Sequence, residues 1–389
     1  MNITMFLKTA YEKMRNDLAS DFKLPLEKKR AILESLPEPC NDMERSYYQY
    51  KTLMKVYGLR GSLLLNFVSI PLLPYYYFKA KRKYNILSKK TFKTCDAVFL
   101  SSGIIIDTIP DSLKDKYPNI LIQNFGNDMC LSSTDLILLR KIFRNYPADF
   151  HFLLKSLMKI AMYSAQLIKH KPKAIISYTD GSFTSSIATM YCESNHVDHI
   201  NIMHGERYFS LFYTFFRFTK YYVWDEFYIN LFKQLRAYDD QFIVEQPRIL
   251  KLGLNNKNNP QHYLTYYLAD EDNEALVTIK KCFDNLKLKG KTCAVRIHPR
   301  YGDPNVIRNI FSGYSIETKE ISIKESLENT YLVASLRSTV LYEGFCNEKL
   351  VVIDDISQPQ KFQMLKEFGY IMFNKPHYLM SDILEVINI

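Results

Sequence analysis

The sequence predicts an α/β protein of two Rossmann-like domains facing a cleft, with a helical N-terminal extension. Three observations predict it. The chain has 389 residues, enough for two domains at roughly 100–200 residues each. Short apolar runs rich in β-branched and aromatic residues alternate with longer helical patterns, which is how a parallel sheet covered by helices reads in sequence. That alternation occurs twice, on either side of a polar, turn-rich stretch from Gly253 to Pro260.

In chain order, the first 18 residues are amphipathic and charged, with neither the apolar core nor the small-residue cleavage site of an export signal. They read as a helix, and residues 1–60 read as mostly helical, with breaks near Pro25 and at Leu36–Pro39. Ser62–Phe78 then carries no charged residue, and Pro71 and Pro74 interrupt it. It is short for a bilayer span, and its prolines disfavour a straight one. Lys79, Lys81, Arg82, Lys83, Lys89, Lys90 and Lys93 follow at once. An apolar, Tyr-rich stretch beside a basic cluster suits contact with an anionic membrane surface over 62–83. A helix and loop buried under a basic surface, and a true span, are the other readings.

Strands are expected at Ala97–Ser101, Ile120–Gln123, Ala174–Tyr178, His199–Met203, Tyr221–Trp224 and Ile249–Leu252. The clearest helix is Phe150–His170, with apolar residues at 153, 157, 160, 161, 164 and 168, closed by Lys171 and Pro172. These elements define a first domain over 1–252. The second, over 260–389, has expected strands at Tyr263–Leu268, Thr292–Ile297, Tyr331–Ser335, Leu350–Ile353 and Tyr370–Phe373. Its helical patterns fall at 271–286, 339–346 and 359–368. Open sheets of this kind bind ligands at the carboxyl ends of their strands.

Composition narrows the partners. With 47% hydrophobic and 24% charged residues the chain is globular, and its net charge of +10 favours anionic partners. No RNA-binding signature or helix-turn-helix pattern accompanies the charge, so nucleic acid is not an expected partner. The seven cysteines are widely spaced with no CxxC, which suggests neither a disulfide framework nor a zinc site and fits a reducing compartment.

Three clusters at expected strand ends carry chemistry. Arg296-Ile297-His298-Pro299-Arg300 leaves a strand through a proline that forces an extended exit. Arginine forks and a histidine N–H suit phosphate oxygens, and His298 is placed to protonate a phosphate leaving group. The bland reading is a satisfied histidine beside a turn. Ser335-Leu336-Arg337-Ser338-Thr339 runs from a strand into small hydroxyl residues that open a helix, where free N–H groups and the helix dipole favour an anion. Ser338 or Thr339 caps that helix, and Glu343, one turn on, suits a ribose diol; an ordinary cap with a solvent-facing Glu is the alternative. The third cluster is Tyr178-Thr179-Asp180-Gly181-Ser182 with His204-Gly205-Glu206-Arg207. Asp180 and His204 are both expected to point into the cleft and to accept a proton from a sugar hydroxyl. A helix cap for Asp180 and a turn histidine for His204 are the plain readings.

In order, these clusters resemble the GT-B bacterial sialyltransferases and related enzymes that use CMP-activated acidic sugars. That family shows an acid-acid-Gly motif, then His-Pro, then a Ser/Thr pair. Here the corresponding residues are Thr179-Asp180-Gly181, His298-Pro299 and Ser338-Thr339, with Thr179 in place of the first acid. The resemblance implies Asp180 as base on the acceptor, and His298, Ser338 and Thr339 on the donor phosphate. His204-Gly205 is similar to the first-domain His-Gly of the CDP-glycerol and CDP-ribitol polymer transferases, where His204 is the implied base. Capsule Kdo transferases share the likeness. The implied protein is a metal-independent glycosyltransferase with no cofactor beyond a nucleotide-sugar donor, CMP-linked in this reading, and a glycan or lipid-linked glycan acceptor. Its expected place is cytoplasmic, peripheral on the inner face of the cytoplasmic membrane. A polyol-phosphate transferase and a UDP-sugar-using GT-B enzyme are the alternatives.

Overall fold

The computed structural model describes residues 19–101, 103, 106–124, 128–255, 260–299 and 301–386. The expected helix over residues 1–18, the middle of the polar stretch at 256–259, and Arg300 lie outside the described residues. The chain divides into two compact units. One runs to His204 and resumes over Phe209–Gln246; the other comprises Gly205–Tyr208 and Pro247 onward.

The first unit is built on a parallel sheet. Its strands are β1 (Ala97–Leu100), β2 (Ile120–Gln123), β3 (Ala174–Ser177), β4 (Asp198–Ile202), β5 (Lys220–Val223) and β6 (Phe242–Val244), in the order β2-β1-β3-β4-β5-β6. Period-two alternation assigns its faces. Val98, Leu100 and Ile175 pack under helices Asp42–Leu87, Phe150–His170 and Ser185–Ser194. Phe99, Ile176, Ile200 and Ile202 face the other way, against Ile109, Leu113 and Tyr117.

The second unit has β7 (His262–Tyr267), β8 (Cys293–Arg296), β9 (Ser315–Glu317), β10 (Thr330–Ser335), β11 (Leu350–Ile353) and β12 (Tyr378–Leu379), ordered β12-β11-β10-β7-β8-β9. Every described pairing in it is parallel. Counted from β7, this is the doubly wound order 3-2-1-4-5-6. The chain moves outward from β7 through β8 to β9, then crosses to β10 on the far side of β7. The switch point therefore lies between the carboxyl ends of β7 and β10. In the first unit the same reversal falls between β1 and β3.

Two expected strands differ from the structure. Ile249–Leu252 is not a strand: Arg248–Leu250 is a 3-10 turn, and the edge strand lies earlier, at β6. Tyr370–Phe373 is likewise 3-10, because Tyr370 and Met372 turn into the core, and the last strand is β12. The proline-bearing apolar segment, for which membrane contact, a buried helix and loop, and a span are the readings, belongs to the helix Asp42–Leu87. That helix breaks at Gly58, which adopts φ +70°, and continues through Pro71 and Pro74. Pro71 and Pro74 leave the carbonyls of Phe67 and Ile70 without their i+4 donors, and both of these residues are exposed.

The second unit also begins earlier than the polar stretch suggests. Asn347 secures the incoming chain: its Nδ2 donates to Leu250 O (2.8 Å) and Glu343 O (2.7 Å), and its Oδ1 accepts from Leu252 N (2.9 Å). At about 0.5–1.5 kcal/mol per net hydrogen bond, Asn347→Ala should cost about 2–3 kcal/mol. A lowered urea midpoint checks this, and an unchanged midpoint would show that the chain enters the unit without that anchor.

Candidate active site

In the second unit the expected donor-side residues stand at one edge of one sheet. His298 follows β8 by two residues and Ser338 follows β10 by three, with β7 between these strands. Because the strands are parallel, both turns leave from the carboxyl edge, separated by two strand spacings, or about 10 Å. The half-buried His298 ring lies 4.5 Å from that of Tyr301, and Pro299 is exposed. Gly302 turns the chain at φ +81°, where a Cβ would meet Ile307 at 3.0 Å, so this tight exit requires glycine. Ser338 is the N-cap of helix Thr339–Cys346, its hydroxyl accepting from Val340 N at 3.3 Å. Thr339 opens the helix, half-buried beside it.

Arg296 departs from its expected role. Its guanidinium is buried, with Nη1 3.1 Å from Glu317 Oε2 and Nη2 donating to Ile321 O at 2.6 Å. Glu317 also accepts from the Ser326 hydroxyl. The fork thus ties β8 to β9 and to the loop beyond it, instead of being turned out toward a phosphate.

The arginine at the switch point is Arg337, within the strand-to-helix motif but not singled out by the sequence. It lies 3.7 Å from Asp270, which follows β7 and takes a second cation, Lys361, at 2.8 Å. Arg337 also stacks over Tyr208 at 5.9 Å. The segment Gly205–Tyr208 belongs to this unit, which brings Glu206 into the cluster. Glu206 Oε1 is enclosed, with no hydrogen-bond partner among the described residues. Burial pushes the Glu206 carboxyl up to about 8, against the opposing pull of a hydrogen bond with Tyr370 and the Arg337 charge, with Glu343 adding to the rise. Burial likewise raises Glu343 to about 7, partly offset by Arg296. Near neutral pH Glu206 is mostly protonated and Glu343 about half so, and the ionised carboxylate beside Arg337 is that of Asp270, which it shares with Lys361. Tyr370 closes the group, its hydroxyl donating to Ser338 O at 3.4 Å. A cation beside a capped helix start is an anion-binding arrangement.

In the first unit the two candidate bases separate. Asp180 follows β3 but is buried, accepting from the Tyr221 hydroxyl at 2.7 Å, while its carbonyl accepts from Gln49 Nε2 at 3.1 Å. It therefore fastens the β3 exit to β5 and to the long helix, which corrects the expectation that it faces an acceptor. It is not a helix cap either, since that position belongs to Thr184. Gly181 passes Tyr213 closely enough that a Cβ would come within 3.3 Å of the ring. His204 is exposed, its ring 4.7 Å from Tyr178. Gly205 O and Glu206 O accept from Arg207 Nη1 at 2.9 and 3.1 Å, which holds the turn after His204 in shape.

No protein-family model matches the chain, and no curated protein matches it in sequence. Among solved structures, the UDP-GlcNAc 2-epimerase of Methanocaldococcus jannaschii in complex with UDP-GlcNAc and UDP is 15% identical at a TM-score of 0.45, over 75% of this chain and 91% of that one. The wall teichoic acid polymerase TagF, in a structure soaked with CDPG, is 10% identical at 0.46, over 85% and 89%. The calicheamicin glycosyltransferase CalG4 is similar at 0.42 over 76% and 90%. Likeness at this level assigns neither ligand nor reaction.

Glu317→Leu strands the Arg296 charge and should cost about 3–5 kcal/mol in denaturant, whereas Arg296→Met combined with Glu317→Leu should recover most of that loss. Equal losses in both variants would contradict the pairing. Glu206 has a folded pKa near 8, above its ordinary value of 4.5. The stability it contributes is complete below 4.5 and is lost as pH rises through about 8. Glu206→Gln should therefore flatten the decline of the urea midpoint across that window, and an unaltered profile would exclude the raised carboxyl.

Proposed function

We propose that the chain is a glycosyltransferase of the GT-B kind, whose second unit holds a cytidine-nucleotide donor and releases CMP. The observation that carries this reading is the anion-binding edge of β8-β7-β10, where the His298 turn and Arg337 flank a helix start capped by Ser338. In the preferred form the donor is a CMP-linked acidic sugar, such as sialic acid or Kdo, and the acceptor is a glycan. The bond from the anomeric carbon to the phosphate oxygen breaks, and a bond from the acceptor oxygen to that carbon forms. The acceptor proton passes to a base in the first unit. The departing phosphate is stabilised by Arg337 and the N–H groups at the helix start, with His298 as its proton donor. Glu343, about half protonated near pH 7, can both donate to and accept from a ribose diol.

A second reading is favoured by the burial of Asp180 and the exposure of His204. If His204 is the base, the chain resembles the CDP-glycerol and CDP-ribitol transferases more than the sialyltransferases. A polyol phosphate is then the transferred group, and the donor P–O–P bridge is the bond that breaks. CMP leaves in both schemes, so the donor side of the reading is common to them.

Thermal-shift titration with CMP, CDP, UDP, GDP and ADP tests the shared claim, because a ligand of the folded state raises the midpoint. Cytidine nucleotides should give the largest rise; a preference for UDP, or no response, would overturn it. His298→Ala should lower CMP release from the true donor by at least about 100-fold, and unchanged turnover would remove His298 from the chemistry. His204→Asn should abolish transfer while Asp180→Asn chiefly lowers stability; the reverse pattern would restore Asp180 as the base.

A further inference from the structure

The second half of helix Asp42–Leu87 presents an apolar face that the fold leaves uncovered. Leu65, Ser69, Ala80 and Leu87 are buried against the first unit. The Ser69 hydroxyl meets His151 Nδ1 at 3.1 Å, Asn66 accepts from His151 N at 2.9 Å, and Ala80 O accepts from Leu131 N at 3.2 Å. On the opposite side Leu59, Leu63, Phe67, Ile70 and Phe78 form a stripe at helical spacing, with Phe67 72% and Phe78 66% exposed. Helix Asp135–Asn145, which lines one cavity with the long helix, also exposes Phe143 and Ile137, the latter 67% exposed. By length and composition the long helix could cross a bilayer. Its anchoring to the unit along both halves instead keeps it flat on the protein surface.

Charge identifies what covers this face. From Arg45 to Cys95 the sequence has no Asp or Glu but eleven Lys and Arg. Lys79, Lys81 and Arg82 stand at the end of the stripe, and Arg140, Lys141 and Arg144 are exposed on the neighbouring helix. Neither Arg140 nor Arg144 is in an ion pair among the described residues. Between these two helices and Phe150–His170 lies a cavity of about 340 Å³, lined by Leu73, Tyr77, Leu139, Phe143 and Leu153 and by the two exposed arginines. An apolar slot bordered by exposed guanidinium groups matches a hydrocarbon chain that ends in a phosphate.

We propose that this face inserts into the interface of an anionic bilayer, and that the slot takes one acyl chain of an anionic phospholipid whose phosphate is held by Arg140 and Arg144. The reading is independent of the nucleotide site. It would place the enzyme parallel to a membrane surface without spanning it.

Co-sedimentation of the full chain with vesicles tests it. Equimolar phosphatidylglycerol–phosphatidylcholine vesicles should bind the chain, and phosphatidylcholine vesicles should bind it far less. Leu63→Glu with Phe67→Glu should lower partitioning by at least about 100-fold, since two large apolar side chains leave the interface. Arg140→Gln with Arg144→Gln should lower it by at least about tenfold. Both sites are exposed, and a far-UV spectrum and a thermal midpoint matching those of the unsubstituted chain confirm that each variant is folded. Equal binding to both vesicle types, or binding unaffected by these changes, would overturn the proposal. So would a dimer in light scattering that Leu63→Glu with Phe67→Glu converts to monomer without any vesicle binding, because a second copy would then be the cover.

Discussion

The parallel pairing of β8, β7 and β10 is the constraint on which the second unit depends. Parallel strands share one carboxyl edge, so a His-Pro exit after β8 and a hydroxyl-bearing exit after β10 cannot fall on opposite sides of the sheet. β7 lies between them because the chain reverses its direction of growth there, and that reversal opens a crevice where two neighbouring exits diverge. Arg337 and the adjacent Ser338 cap meet Asp270, from a segment far earlier in the chain, at this crevice through backbone topology.

Where charges are buried, the structure separates fixed from adaptable groups. Arg296 and Glu317 are locked together, their desolvation offset by a short ion pair and by the Ile321 carbonyl and Ser326 hydroxyl. Such a pair sets the register of β8 and β9 and has little capacity to respond to a ligand. Glu206 and Glu343 are different, because burial raises both toward neutrality and nothing neutralises them fully. Groups with pKa values near the working pH are suited to an edge where a phosphate arrives and departs, since they change protonation as the local charge changes.

Much of the fold was legible in the sequence because its central strands are short runs of β-branched and aromatic residues, and Ile120–Gln123, Leu350–Ile353 and helix Phe150–His170 stand where the pattern puts them. What the pattern missed was marginal in length or set by tertiary contact. β6 and β9 have three residues each, at sheet edges, with too little alternation to register. The helix continues through Pro71 and Pro74, where the residues one turn earlier are exposed, which no propensity expresses. In the site, strand-end placement was readable for His298, Ser338, Asp180 and His204. Side-chain direction was not: Arg296 turns inward to an acid on a neighbouring strand, and Asp180 turns inward to Tyr221 on β5. Tyr370 and Tyr208 carry no motif and join the cluster only through the fold.

A crystal structure of the chain with CMP measures directly where a nucleotide phosphate binds. The phosphate should lie at the carboxyl edge of β7 and β10, hydrogen-bonded to the N–H groups that open helix Thr339–Cys346 and in contact with Arg337, with His298 facing it. A phosphate seated elsewhere in the second unit, or in the first unit alone, would contradict that placement.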